Sequence, residues 1–202
     1  STYYGIFKPG VDVQYIKKKD VPNTTIFFTF HCPIFYTDKE VHYIDFFSKF
    51  VNSESSSLLM YELREINKLI YNISIDYHTT AYGTYFLIET QTSKNNKIED
   101  IITITLKVLH KLLNGDFKSQ RLEWAKKAFE TDHYERCNNN SYYASFYGQQ
   151  YIHQLYNIQE ARILNRAQVL NSVKKVNKLQ FVAFIKKLII FANMKIVYMG
   201  PR

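Results

Sequence analysis

At Leu69 the hydrophobic period of this 202-residue chain changes from that of a helix to that of a strand, with almost no loop between. Leu59, Leu63 and Ile66 recur at helical spacing behind Ser57, a residue type that caps helices by accepting a bond from a free N–H of the first turn. Beyond the change, Tyr71, Ile73, Ile75 and Tyr77 alternate with Ile70, Asn72, Ser74 and Asp76. One mostly apolar and one mostly polar face is the pattern of a half-buried antiparallel strand. Thr79 to Gly83 reads as a turn and Thr84 to Thr92 as a second strand, so the two are expected to pair as a hairpin.

The remaining elements follow from the same periods. Thr24 to Cys32 alternates clearly enough to predict a strand buried on most of both faces, ended by Pro33. Thr37 or Asp38 is placed to cap a helix whose apolar stripe is Val41, Ile44, Phe47 and Val51. Ile98, Ile101, Ile102, Thr105, Leu109 and Leu112 form the clearest amphipathic helix, stopped by Asn114-Gly115. Ser119 caps a run carrying Leu122, Ala125 and Phe129, and Ser141 begins another helix through about Tyr156. A shorter helix is expected near Gln159 to Leu164, and a last one over Leu179, Val182, Phe184, Ile185 and Leu188, before a closing strand from Lys195 to Met199.

Residues 1–23 read as a linker or edge strand leading into one domain spanning 24–202. Strand, two helices, hairpin, several helices and strand, in that order, imply an α+β fold with helices packed on one face of a mostly antiparallel sheet.

The net charge of +8 would suit an anionic partner, yet the basic residues are dispersed. Lys17 to Lys19 is the only triple, so no nucleic-acid partner is expected. The longest apolar run, Leu188 to Ala192, is far shorter than the roughly 20 residues of a membrane span. Cys32 and Cys137 lack the spacing of a disulfide scaffold or a metal knuckle and read as idle thiols in a reducing, intracellular compartment, cytoplasmic or organellar. Sequons at Asn23, Asn72 and Asn139 do not outweigh that reading, since Asn72 falls within a predicted strand. The chain opens Ser1-Thr2-Tyr3 without an initiator methionine, and we expect it to be an excised or processed part of something longer.

A hydrolytic metal centre needs closely spaced ligands that one helix can present together. His31, His42, His78, His110, His133 and His153 stand alone, no two within five positions, so no metal site and no cofactor are expected in this chain. Phosphate-cradling glycine loops and nucleophile elbows are absent too. What remains is Arg64 and Tyr71, seven positions apart across the junction at Leu69. Their ordinary roles would be a helix-surface cation near Glu62 or Glu65 and a strand aromatic packed in the core.

Three stretches change that weighing. They are Ser55-Ser56-Ser57-Leu58-Leu59, then Leu63-Arg64-Glu65, then Leu69-Ile70-Tyr71. With Gln120-Arg121-Leu122-Glu123-Trp124-Ala125-Lys126 and the closing Val197-Tyr198-Met199-Gly200-Pro201, their order resembles the C-terminal, zinc-free domain of the insulinase or pitrilysin family of zinc metallopeptidases, which includes the mitochondrial processing peptidases. Ile70 stands where that family usually has glycine. The resemblance implies that Arg64 and Tyr71 are catalytic residues of a site built jointly with another domain or chain, which carries His-x-x-Glu-His and the zinc. It also implies an extended peptide substrate, clamped and polarised by a phenol donating to the oxyanion and a guanidinium gripping backbone or carboxylate. Alone, this half of a metalloendopeptidase should be inactive. The alternative is a catalytically inactive binding or assembly subunit of the same fold.

Overall fold

Thr24–Cys32 (β2) is the middle strand of a five-stranded sheet. β1 (Asp12–Lys17) and β5 (Met194–Gly200) lie on one side of it, β4 (Gly83–Thr92) and β3 (Ile73–Thr80) on the other, giving the order β1-β5-β2-β4-β3. Only the β1–β5 pair is parallel; β2–β4, β2–β5 and β3–β4 are antiparallel, so the sheet is mostly antiparallel. This computed structural model describes residues 12–35, 38, 40–52, 57–80, 83–155 and 165–201. Seven α-helices occur among the described residues: α1 (Tyr43–Asn52), α2 (Leu58–Met60), α3 (Ile98–Leu113), α4 (Ser119–Cys137), α5 (Asn140–Leu155), α6 (Arg166–Lys175) and α7 (Lys178–Leu188).

Alternation sorts the sheet into two faces. Ile26, Phe28, Phe30 and Cys32 of β2, Phe86 and Ile88 of β4, and Met194 and Ile196 of β5 are all buried. Register aligns them, with Phe28 opposite Ile88 and Ile196, and Phe30 opposite Phe86 and Met194. Thr25, Phe27, Thr29 and His31 turn to the other face and are only half-buried, so β2 is covered on one face rather than most of both. Burial pushes the Cys32 thiol up to about 12, leaving it an inert core group that bonds the Thr84 carbonyl at 3.3 Å.

The helices meet the sheet through phenylalanine. Phe46, Phe47 and Phe50 of α1 and Phe181 of α7 are fully buried. The Phe181 ring lies 4.9, 5.1 and 6.3 Å from those of Phe46, Phe50 and Phe47, and Phe47 reaches Phe86 of the sheet at 5.5 Å. Offset and edge-on ring pairs at these distances add to the hydrophobic gain of burial.

Several boundaries differ from the periods that announced them. α1 begins at Tyr43, because Asp38 turns back to accept the Phe35 N–H at 2.8 Å instead of capping a helix; Thr37 lies outside the described residues. α7 is anchored by Phe181, whereas Leu179 is 83% exposed. α6 was not expected, since Arg166–Lys175 is mostly polar, yet Asn165 and Gln168 close a reciprocal capping box at its start. The helix expected near Gln159 to Leu164 lies outside the described residues. Gly115 ends α3 as expected, taking φ +69°, a conformation that penalises any side chain with a Cβ.

α6 is held to α4 and α5 by Arg166, and to α4 also by the ion pair of Lys174 with Glu130. The Arg166 guanidinium is 5% exposed, sits 4.6 and 4.8 Å from the ring centroids of Tyr142 and Tyr143, and donates to the His133 carbonyl at 2.5 Å. On the opposite flank of α6, His42 Nε2 meets Ser172 Oγ at 2.7 Å and Ser172 Oγ donates to Tyr43 Oη at 3.0 Å, so Nε2 carries the proton and donates. Buried Nδ1 has no partner among the described residues. Desolvation therefore lowers the His42 pKa to about 4, against the weaker pull of Glu40.

Two expectations follow. Phe181→Ala should cost about 3–5 kcal/mol in urea unfolding, the range for emptying a packed aromatic site. For His42, the unfolded chain takes up a proton below about pH 6.5 that the native chain refuses until about pH 4. Its contribution to stability therefore falls as pH drops through that window and is flat above it. Urea midpoints measured from pH 7 to pH 4 should decline less steeply in His42→Gln than in the parent.

Candidate functional site

Arg64 and Tyr71 are carried on a short connection that is pinned at both ends. Ser57 opens it, accepting the Met60 N–H at 2.8 Å while its hydroxyl donates to the Val51 carbonyl. α2 then widens into a π-helical turn, Tyr61–Ile66, in which Asn67 N–H reaches the Glu62 carbonyl at 3.2 Å and Leu69 N–H reaches that of Leu63 at 2.8 Å. Widened turns of this kind displace side chains from the regular helical register. Leu59 and Leu63 stay buried, but Ile66, which helical spacing places with them, is 56% exposed.

The chain reverses at Lys68, whose φ of 51° lies in the left-handed region. Ile70, where the resemblance would put glycine, is buried and needs no such freedom. β3 starts at Ile73, not at Leu69, so Tyr71 precedes the strand rather than lying within it. The intervening residues are tied to the end of β4: Thr92 Oγ1 donates to Leu69 O at 2.6 Å, Tyr71 N–H to Gln91 O at 3.1 Å and Thr90 Oγ1 to Asn72 O at 2.9 Å. Lys94 Nζ completes the clamp by donating to Lys68 O at 2.7 Å.

Tyr71 is thus not a core aromatic. It is 56% exposed, and its hydroxyl donates to Ser93 Oγ at 2.6 Å. Arg64 is also exposed, its Nε 3.7 Å from Glu65 Oε1. Among the described residues no hydrogen bond or cation–π contact joins the two; each has its own polar neighbour. Beside the connection opens a groove of about 470 Å³ lined by residues that include Asn67, Leu69, Lys94, Lys97 and Ile104. Ser93, Lys94 and the π turn were not anticipated. Only the polar cluster Thr92-Ser93-Lys94 at the strand end hinted that β4 would grip something.

No group of three His, Cys, Asp or Glu side chains among the described residues could hold a metal ion. His31 packs on Tyr85, His42 on Ser172 and Tyr43, and His133 is buried beside Phe129, so these imidazoles face rings and hydroxyls rather than one another. No described helix is long and apolar enough to cross a membrane.

Comparison with solved structures shows the same fold in peptidases. The chain superposes with a TM-score of 0.80 on a protease from Helicobacter pylori, at 16% identity over 96% of this chain and 45% of the other. A peptidase M16 inactive domain from Pseudomonas fluorescens matches at 0.75, with 18% identity over 96% of this chain and 44% of that one. The ferredoxin protease FusC, solved as a mutant in complex with Arabidopsis ferredoxin, matches at 0.65 with 14% identity over 96% of this chain and 20% of that one. The chain therefore spans less than half the length of each of these. No curated protein matches. Residues 6–129 match the family model of the peptidase M16 inactive domain. With that match over more than half its length, the chain belongs to the M16, insulinase-like family of peptidases, as the C-terminal type of domain that lacks the zinc motif.

Proposed function

We propose that this chain is the substrate-holding, zinc-free half of a metalloendopeptidase, with Arg64 and Tyr71 turned towards a peptide that a zinc-bearing domain holds from the other side. The partner is either a further part of the same polypeptide or a companion chain. The observation that carries the reading is the clamp on the 67–72 connection. Four hydrogen bonds to the end of β4 and the residues after it fix the backbone around Tyr71, while its ring and hydroxyl remain at the surface. A rigid base under an exposed donor is what transition-state stabilisation requires, because a preorganised group loses no reorganisation energy as charge develops.

Tyr71 is assigned the role of oxyanion donor. Its O–H is now given to Ser93, a neutral acceptor that a developing negative charge would outcompete. Arg64, half-exposed and tied to the solvated Glu65, can turn its planar fork on a substrate carbonyl or carboxylate. That a structural neighbour holds a ferredoxin supports a polypeptide substrate. The lack of contact between Arg64 and Tyr71 favours a second reading, an inactive binding or assembly subunit in which both are ordinary surface residues.

Tyr71→Phe separates the two. In the peptidase assembled with its zinc-bearing half, turnover of a quenched fluorescent peptide should fall about a hundredfold or more, the cost of losing an oxyanion donor. KM and the thermal midpoint should hardly move. Arg64→Lys should instead raise KM, because an ammonium cannot reproduce the bidentate fork. Unchanged turnover in Tyr71→Phe would return the chain to the assembly reading.

A further inference from the structure

On the helical layer, a second cleft shares no lining residue with the groove lined by Asn67, Leu69 and Lys94. It encloses about 500 Å³ where the start of α2, the corner between α3 and α4, and the start of α7 converge, and it is lined by Leu58, Phe117, Lys118, Arg121, Trp124 and Lys178 among others. Trp124 is the only tryptophan of the chain, and it is 40% exposed at this rim instead of buried. Tyr61, at the start of the π turn, is 47% exposed, with the Arg121 guanidinium of the cleft 5.8 Å from its ring centroid. Tryptophan, tyrosine and arginine are the residue types that carry most binding energy at protein interfaces.

The charges point the same way. Lys118, Arg121 and Lys178 line the cleft against the single acid Asp116. Lys178 is held in place, its Nζ donating to the Phe117 carbonyl at 2.6 Å and lying 4.8 Å from the Phe117 ring centroid. Lys118 and Arg121 sit at the start of α4, which has no acidic residue in its first turn and no side-chain cap. Cations there oppose the positive end of the helix dipole, so the dipole of α4 does not favour them. An incoming carboxylate does.

We infer that this cleft docks an acidic segment of a partner protein, its carboxylates on Lys118, Arg121 and Lys178 and one apolar side chain against Trp124 and Leu58. A second copy of this chain is a poor occupant, since each copy carries a net charge of +8. A nucleic acid fits less well, because the basic residues gather around one open, largely apolar recess instead of running along a phosphate track.

The test uses the 202-residue chain and an end-blocked glutamate-rich peptide with one central phenylalanine, its lysine-rich counterpart, and an oligothymidylate. Trp124 is the only indole, so its emission reports on the cleft directly, and anisotropy of the labelled peptide gives an independent reading. The acidic peptide should shift the emission saturably to the blue, and its binding should weaken as salt screens the charges. Lys118→Glu should weaken that binding by about tenfold or more while raising the thermal midpoint, because an acid suits the start of α4. That opposition of signs separates lost docking from lost folding. No saturable change by either readout, equal binding of the lysine-rich peptide, tighter binding of the oligothymidylate, or an unaltered affinity in Lys118→Glu would each overturn the proposal. None of these outcomes bears on Arg64 or Tyr71, which lie outside the cleft.

Discussion

The constraint on which the rest of the molecule depends is that β2 is paired on both sides and covered on one face only. Its inward residues Ile26, Phe28, Phe30 and Cys32 reach no exposure at all, so every neighbouring element must bring apolar surface to the same side. β4 and β5 do so by register, and α1 and α7 do so through Phe46, Phe47, Phe50 and Phe181. A slip of one residue in either pairing would turn the whole row of apolar side chains to the open face. The ring contacts between Phe181 and its three partners on α1 add directional preference to that burial. Sheet and helices thereby specify each other.

This fixed frame makes the connection from α2 to β3 informative. Leu63 and Leu69 are buried at its two ends, so five residues must bridge a set distance while the period changes. The chain meets the requirement with a widened π turn and one left-handed residue, Lys68, and it spends side-chain donors from Thr90, Thr92 and Lys94 to hold the result. Tyr71 is exposed because of this path. Had the strand begun at Leu69, simple alternation would have turned Tyr71 inward with Ile73 and Ile75.

That contrast explains what was legible in the sequence. Periods of two and 3.6 located β2, the hairpin, α3 and α7, because there burial alone decides conformation. The same logic missed α6, whose Arg166–Lys175 run is mostly polar. That helix is secured by its capping box and by Arg166 between two tyrosine rings, and neither device leaves a hydrophobic period. It also misplaced Ile66 and the start of β3, since a π turn shifts the register of everything after it and no residue type announces one. Arg64 and Tyr71 were reached through motif order, which is independent of period. Ser93 and Lys94 were not, because a hydrogen bond between residues 22 apart has no local signature.

Several residues that depart from local rules lie around Tyr61 to Tyr71 and around Gly115 to Trp124. The first holds a π turn, an exposed isoleucine and a left-handed lysine. The second holds an exposed tryptophan and cations at an uncapped helix start. Elsewhere capping boxes open α6 and α7, and α3 carries acids first and bases last, as the helix dipole favours. A sequence that satisfies these rules on most of its helices has the means to satisfy them on α4 as well. The π turn and Lys68 serve the geometry of the connection, whereas the exposed tryptophan and the cations at the start of α4 serve neither core nor cap, which is the pattern a binding surface leaves.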